Sequence, residues 1–137
     1  MYDNRAIAVA YFGSKHNVFL KKRAEHHEAQ AAGDSARAKE LTVWVERFQR
    51  QIHFQGFCRV PVDDLLHVVK DKMADVAKRT GVDLIGWCPD YTGAEVEVVD
   101  ITDELVALFN PSEEKLKQIK SLKDVEPTTL ADIEHDH

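Results

Sequence analysis

The segment from Asp63 to Asn110 constrains the fold of this chain more than any other, because its hydrophobic pattern changes period along its length. Leu65, Leu66, Val69, Met73, Val76 and Ala77 form a helical stripe. Asp63 and Asp64 suit the positive end of that helix, Lys78 and Arg79 its negative end, and Gly81 its stop. Val82-Asp83-Leu84-Ile85-Gly86-Trp87 then reads as a strand, Pro89 to Gly93 as a turn, and Val96-Glu97-Val98-Val99 as a second strand. At Asp100-Ile101-Thr102-Asp103 the chain hands over to a helix capped by Thr102, with Leu105, Val106, Leu108 and Phe109 as its apolar face. A lone early strand, Ala6 to Tyr11, completes the pattern. The expected architecture is α+β: a small β-sheet body with a protruding antiparallel helical hairpin, in the order β-α-α-α-β-β-α.

The hairpin lies between the first strand and Asp63. Its first helix is expected to start near Ser14 as N-cap and run from Lys15 to Ala32, with Gly33 closing it. A second helix follows from Ala36 to Phe54, with Leu41, Val45, Phe48 and Ile52 as a heptad-like seam. Leu20, Ala24, His27 and Ala31 repeat that spacing on the first helix and are the expected facing stripe. Val18, Phe19, Val43, Trp44 and Phe54 fall off or beside the seam, so they pack on the body or meet another chain. Gly56, and Val60 before Pro61, predict a bend or loop after Phe54. One domain is expected over residues 1–123, with an arm at about 14–55 and a body formed by 1–13 and 61–123. Residues 124–137, acidic and interrupted by Pro127, read as a loosely docked tail.

A chain of 137 residues with 44% hydrophobic and 31% charged residues can bury a modest core. No apolar run approaches the roughly 18 to 20 residues of a membrane span, and residues 1–5 carry no apolar leader. Two compartments remain open: the cytoplasm, or the periplasm or another extracytoplasmic space after loss of a signal peptide. Net charge is −6 but unevenly spread. Residues 1–60 hold 10 Lys+Arg against 6 Asp+Glu, a balance of +4, and residues 61–137 hold 8 against 18, a balance of −10. Such runs solvate exposed faces, or they let a basic projection attract acidic partners. Nucleic acid is not expected as a partner, because the basic excess is small and no binding motif accompanies it.

Catalytic and metal motifs are missing from the pattern. His53 stands five residues before Cys58, a spacing without a catalytic signature, and no enzyme is expected. Cys58 and Cys88 read as two free thiols, with a single disulfide between them as the alternative in an extracytoplasmic protein. Adjacent His26 and His27 diverge by about 100° on a helix, and His16, His53 and His67 stand alone. His135-Asp136-His137 offers at most an adventitious site, so neither metal nor cofactor is expected.

The order of Ile7-Ala8-Val9, a helical hairpin, a returning helix, Gly81-Val82-Asp83-Leu84-Ile85 and Val99-Asp100-Ile101-Thr102-Asp103-Glu104-Leu105 resembles the Skp/OmpH family of periplasmic chaperones over roughly Ala6 to Phe109. The resemblance implies a homo-oligomer, a trimer, whose joined sheets carry helical arms around an unfolded outer-membrane or secreted protein. It implies no cofactor, no catalytic residue and no stable membrane insertion. On that reading Phe19, Val43, Trp44 and Phe54 contact the client, and Lys21, Lys22, Arg47 and Arg50 steer it. The arm is shorter than the family's, and Gly56 to Pro61 interrupts its return. The alternative function is an interaction module that docks on a specific folded partner.

Overall fold

The computed structural model describes residues 1–135; 62% of the chain is helical, and there is no strand among the described residues. Its elements are α1 (Asn4–Phe12), α2 (Phe19–Ala31), α3 (Ser35–Phe57), α4 (Asp63–Leu66), a 3-10 segment (His67–Lys72), α5 (Met73–Thr80), α6 (Thr102–Ala107), α7 (Glu113–Leu122) and α8 (Leu130–His135). The expected α+β fold with a sheet body is therefore overturned. Among the described residues the fold is all-α, and no helix is long and apolar enough to cross a membrane.

The segment read as the first strand is the central helix. Short apolar runs do not distinguish a buried strand from a buried helix by periodicity. Here three alanines favour the helix, and the Asp3 carboxylate accepts the Arg5 N–H to cap its start. Ala6, Ile7, Ala8, Ala10 and Tyr11 are all buried, so apolar groups point outward around most of the helix. Around α1 pack α3, α7, α6 and α4. Leu65, Leu66, Val69, Val76, Ile101, Leu105, Val106, Phe109 and Ile119 close the core. Tyr11 meets the Phe109 ring edge-on at 6.4 Å.

The two later strands are also absent. Val82 to Trp87 and Val96 to Val99 run without regular structure, because a β-propensity segment becomes a strand only when a neighbour supplies the ladder. Gly81 does close α5 in the left-handed region, at φ 70°, and the Val82 N–H returns to Ala77 O at 3.1 Å. Val82, Ile85 and Trp87 then lean on the core while Leu84 and Tyr91 stay exposed. The helix expected from Asp63 to Gly81 is divided into α4, the 3-10 segment and α5.

The hairpin has the expected connectivity and a different register. Gly33 sits at φ 71° in the turn, and Asp34 caps α3 through the Arg37 N–H at 3.1 Å. On α3, Leu41 and Ile52 are buried, with Val45 and Phe48 half-buried, as the seam predicts. On α2 the predicted stripe of Leu20, Ala24, His27 and Ala31 faces solvent. Phe19, Lys22, His26 and Ala29 take its place, and a His26 ring nitrogen lies 2.9 Å from the Thr42 hydroxyl. This stripe has helical spacing too, but contains a lysine and a histidine, so a search for apolar periodicity passes over it.

The ends of the chain are tied together. Arg5, buried and paired with Asp3 at 2.9 Å, donates to Val125 O at 2.6 Å and Leu122 O at 3.2 Å. The Thr128 N–H donates to Phe57 O at 2.8 Å, and Ile133 is buried, so the segment read as a loose tail packs on the body through residue 133. Met1 brackets Asp100: its amino group donates to Val99 O and its carbonyl accepts the Ile101 N–H.

Burial alone would raise the Asp100 carboxyl. Hydrogen bonds from the Thr102 hydroxyl and N–H, helped by Lys123 and the terminal amino group, outweigh it and hold the carboxyl below its ordinary 3.8. A carboxyl lowered by folding contributes stability that is complete above 3.8 and is lost as pH falls through the folded value. The difference in Tm between the protein and Asp100→Asn should therefore be widest near neutrality and close in acid. A difference constant from about pH 7 to about pH 3 would contradict this linkage.

Candidate functional site

An extended concave surface runs along the outer face of α3, as two hollows that share Arg47 and Gln51. The upper one, about 470 Å³, is lined by Lys22, Arg37, Glu40, Leu41, Val43, Trp44 and Phe48 as well. The lower, about 710 Å³, adds Arg50, Phe54, Gln55, Val60, Pro61, Asp63, Asp64 and Leu130. Helical geometry explains their continuity: Trp44, Arg47, Gln51 and Phe54 recur at intervals of three and four, and so stand above one another on one face.

An aromatic stack stiffens the upper part. Trp44 lies on Phe48 at 5.0 Å between ring centroids, with planes 9° apart, and Phe48 stacks in turn on Phe19 at 5.9 Å. Cations accompany the rings: Lys22 Nζ is 5.9 Å from the Trp44 centroid and the Arg50 guanidinium 5.6 Å from that of Phe54. Glu25 bridges Lys22 at 3.0 Å and Arg37 at 3.3 Å, and Arg37 also pairs with Glu40 at 2.9 Å. The Lys22 hydrogen bond is the chief cause that lowers the Glu25 carboxyl below its ordinary range.

The lower wall is held by amides. Gln51 Nε2 donates to Asp64 at 2.6 Å; Gln55 Nε2 donates to the same carboxylate at 2.8 Å and to Pro61 O at 3.3 Å. These bonds fasten α4 against α3 and leave buried Gln55 Oε1 without a donor. Behind them Asn4 Nδ2 donates to Gln55 O at 2.8 Å and Cys58 O at 2.7 Å, while Trp87 Nε1 donates to Asn4 Oδ1 at 3.2 Å. The α3 carbonyls therefore end on a buried side chain, and the helix stops at Cys58 although Gly56 lies inside it.

Six of the eight side chains selected from the sequence line this groove: Lys22, Val43, Trp44, Arg47, Arg50 and Phe54. Phe19 is buried beneath Phe48, and Lys21 is exposed but borders neither hollow. Phe48 was assigned to the seam, yet it also forms the groove floor. Gln51 and Gln55 were missed, although their i, i+4 spacing after Arg47 and Gln51 was legible.

Cys58 and Cys88 are not bonded to each other. Burial pushes the Cys58 thiol up, whereas Cys88 is exposed with Arg59 Nη2 3.4 Å from its sulfur. A thiol-specific disulfide reagent should react quickly with Cys88 in the native protein and with Cys58 only on unfolding. Fast native titration of both would contradict this burial. Among the described residues no three His, Cys, Asp or Glu side chains converge as metal ligands, and the cluster at His135-Asp136-His137 lies at and beyond the end of the described residues. No family model, curated protein or solved structure matches this chain.

Proposed function

We propose that this chain is a non-catalytic protein-binding module that holds an extended, acidic segment of a specific partner along the outer face of α3. The continuity of the groove carries the reading: aromatic rings and cations alternate along one helix face, in the pattern that accepts apolar and carboxylate side chains in turn. From Arg37 to Gln55 the face is about 27 Å long at 1.5 Å per residue, which an extended segment of about eight residues would cover. Asp63 and Asp64 close the lower end, so the segment would place a cation or N–H donors there and its carboxylates opposite Arg47 and Arg50. This reading needs no sheet shared between protomers.

The overall charge of −6 makes the test discriminating, since long-range attraction alone would favour a basic peptide. Fluorescein-labelled peptides of about eight residues, alternating Leu or Phe with Glu or with Lys, would be titrated by polarisation. Saturable binding of the acidic series, at least about tenfold tighter than the basic one and weakening with salt, is expected. Equal binding of the two series, or none, would rule the groove out as an acidic-segment site.

A further inference from the structure

A separate hollow, about 310 Å³, lies between α1, α3 and α7, away from the α3 outer face. Val9, Phe12, Ile52, Phe57 and Leu122 make it apolar, and Phe12 and Phe57 remain 38% and 54% exposed at its edge. Among the described residues no carboxylate lines it, in a chain with 24 Asp+Glu, while Lys115, His53 and the amides of Gln49 and Gln118 do. Lys115 is held there by shape: its stem lies over Gly13 so closely that a Cβ on that glycine would sit 3.0 Å from Lys115 Cγ and 3.1 Å from Cε. Its ammonium reaches Gln118 Oε1 at 3.1 Å.

We propose that this hollow binds an amphipathic anion, a medium-chain carboxylate, with the hydrocarbon against Phe12, Ile52 and Phe57 and the carboxylate at Lys115. The volume is at the lower end of the roughly 300–1,000 Å³ typical of small-molecule sites. Apolar walls supply chain-length dependence, and a cation in an acid-free rim supplies preference for an anion over a neutral head group. The proposal is independent of the α3 groove.

Decanoate, octanoate and decanol would be titrated into the full chain below their micelle-forming concentrations, followed by calorimetry and amide chemical shifts. Decanoate should bind saturably at one site, at least about tenfold tighter than decanol, with affinity falling roughly fourfold for each methylene removed. Lys115→Met should erase the preference for decanoate over decanol. Gly56→Leu should abolish binding of both, because a Cβ at Gly56 meets nothing within 4 Å and the added side chain enters the open space. Phe57→Ser, which removes one wall at an exposed position, should weaken both and serves if Gly56→Leu does not fold. Non-saturating uptake, equal affinity for decanoate and decanol, or binding untouched by Gly56→Leu and Phe57→Ser would each overturn the assignment. Non-saturating uptake would mark the hollow as a face for another helix.

Discussion

Replacing Asn4 with leucine is expected to cost this protein most of its stability. Asn4 is 2% exposed, and its side chain satisfies Gln55 O, Cys58 O and the Trp87 indole N–H together. Leucine has the same number of side-chain heavy atoms but a larger volume, so the loss combines the missing hydrogen bonds with some overpacking. Each buried polar group left without a partner costs about 1–3 kcal/mol, and three of them sum to roughly 3–9 kcal/mol against a typical total of about 5–15 kcal/mol. Thermal melts followed by circular dichroism should show Tm lower by at least about 10 °C. Asn4→Asp should be no better, since it sets a carboxylate against two carbonyl oxygens and removes both donors. A loss below about 1 kcal/mol would mean that these groups find other partners and that the α3 terminus is not fixed from α1.

The second large effect is on binding. Reversing both Arg47 and Arg50 to glutamate should weaken an acidic peptide by roughly 30- to 100-fold, because each reversal removes one attraction and adds one repulsion. Both side chains are exposed, though Arg50 also lies on the Phe54 ring, so the change in Tm should be small beside the loss of binding. Lys39→Glu together with Lys78→Glu changes net charge by the same amount outside the groove and is expected to leave affinity within about threefold. If the two double variants weaken binding equally, the effect belongs to overall charge and not to the α3 face. Trp44→Ala should lower affinity with a smaller salt dependence, since it removes ring contact and leaves the cations in place.

How much of this was legible depended on what each residue must satisfy. The α3 helix was readable because Leu41, Val45, Phe48 and Ile52 keep one period, and Trp44, Arg47 and Phe54 keep a neighbouring one. The facing stripe of α2 was not, because Lys22 and His26 bury aliphatic stems and ring surface while serving Glu25 and Thr42. Ala6 to Tyr11 carries a short apolar run that either a central strand or a central helix would use. Val82 to Trp87 and Val96 to Val99 have strand composition without a strand, since their neighbours are the core and solvent.

By itself the sequence determined the helical hairpin, its turn at Gly33, the cap at Gly81 and the side chains that project from the outer face of α3, all of which depend on neighbours within a few residues. Tertiary structure decided that α1 is a helix at the centre and that Asn4 terminates α3. It also decided that Arg5 anchors the C-terminal segment and that Lys115 meets an acid-free hollow. Each of those outcomes joins residues some fifty to a hundred and twenty positions apart. Local propensity spans one or two turns of chain, whereas burial and hydrogen-bond satisfaction are settled only when distant segments compete for the same space.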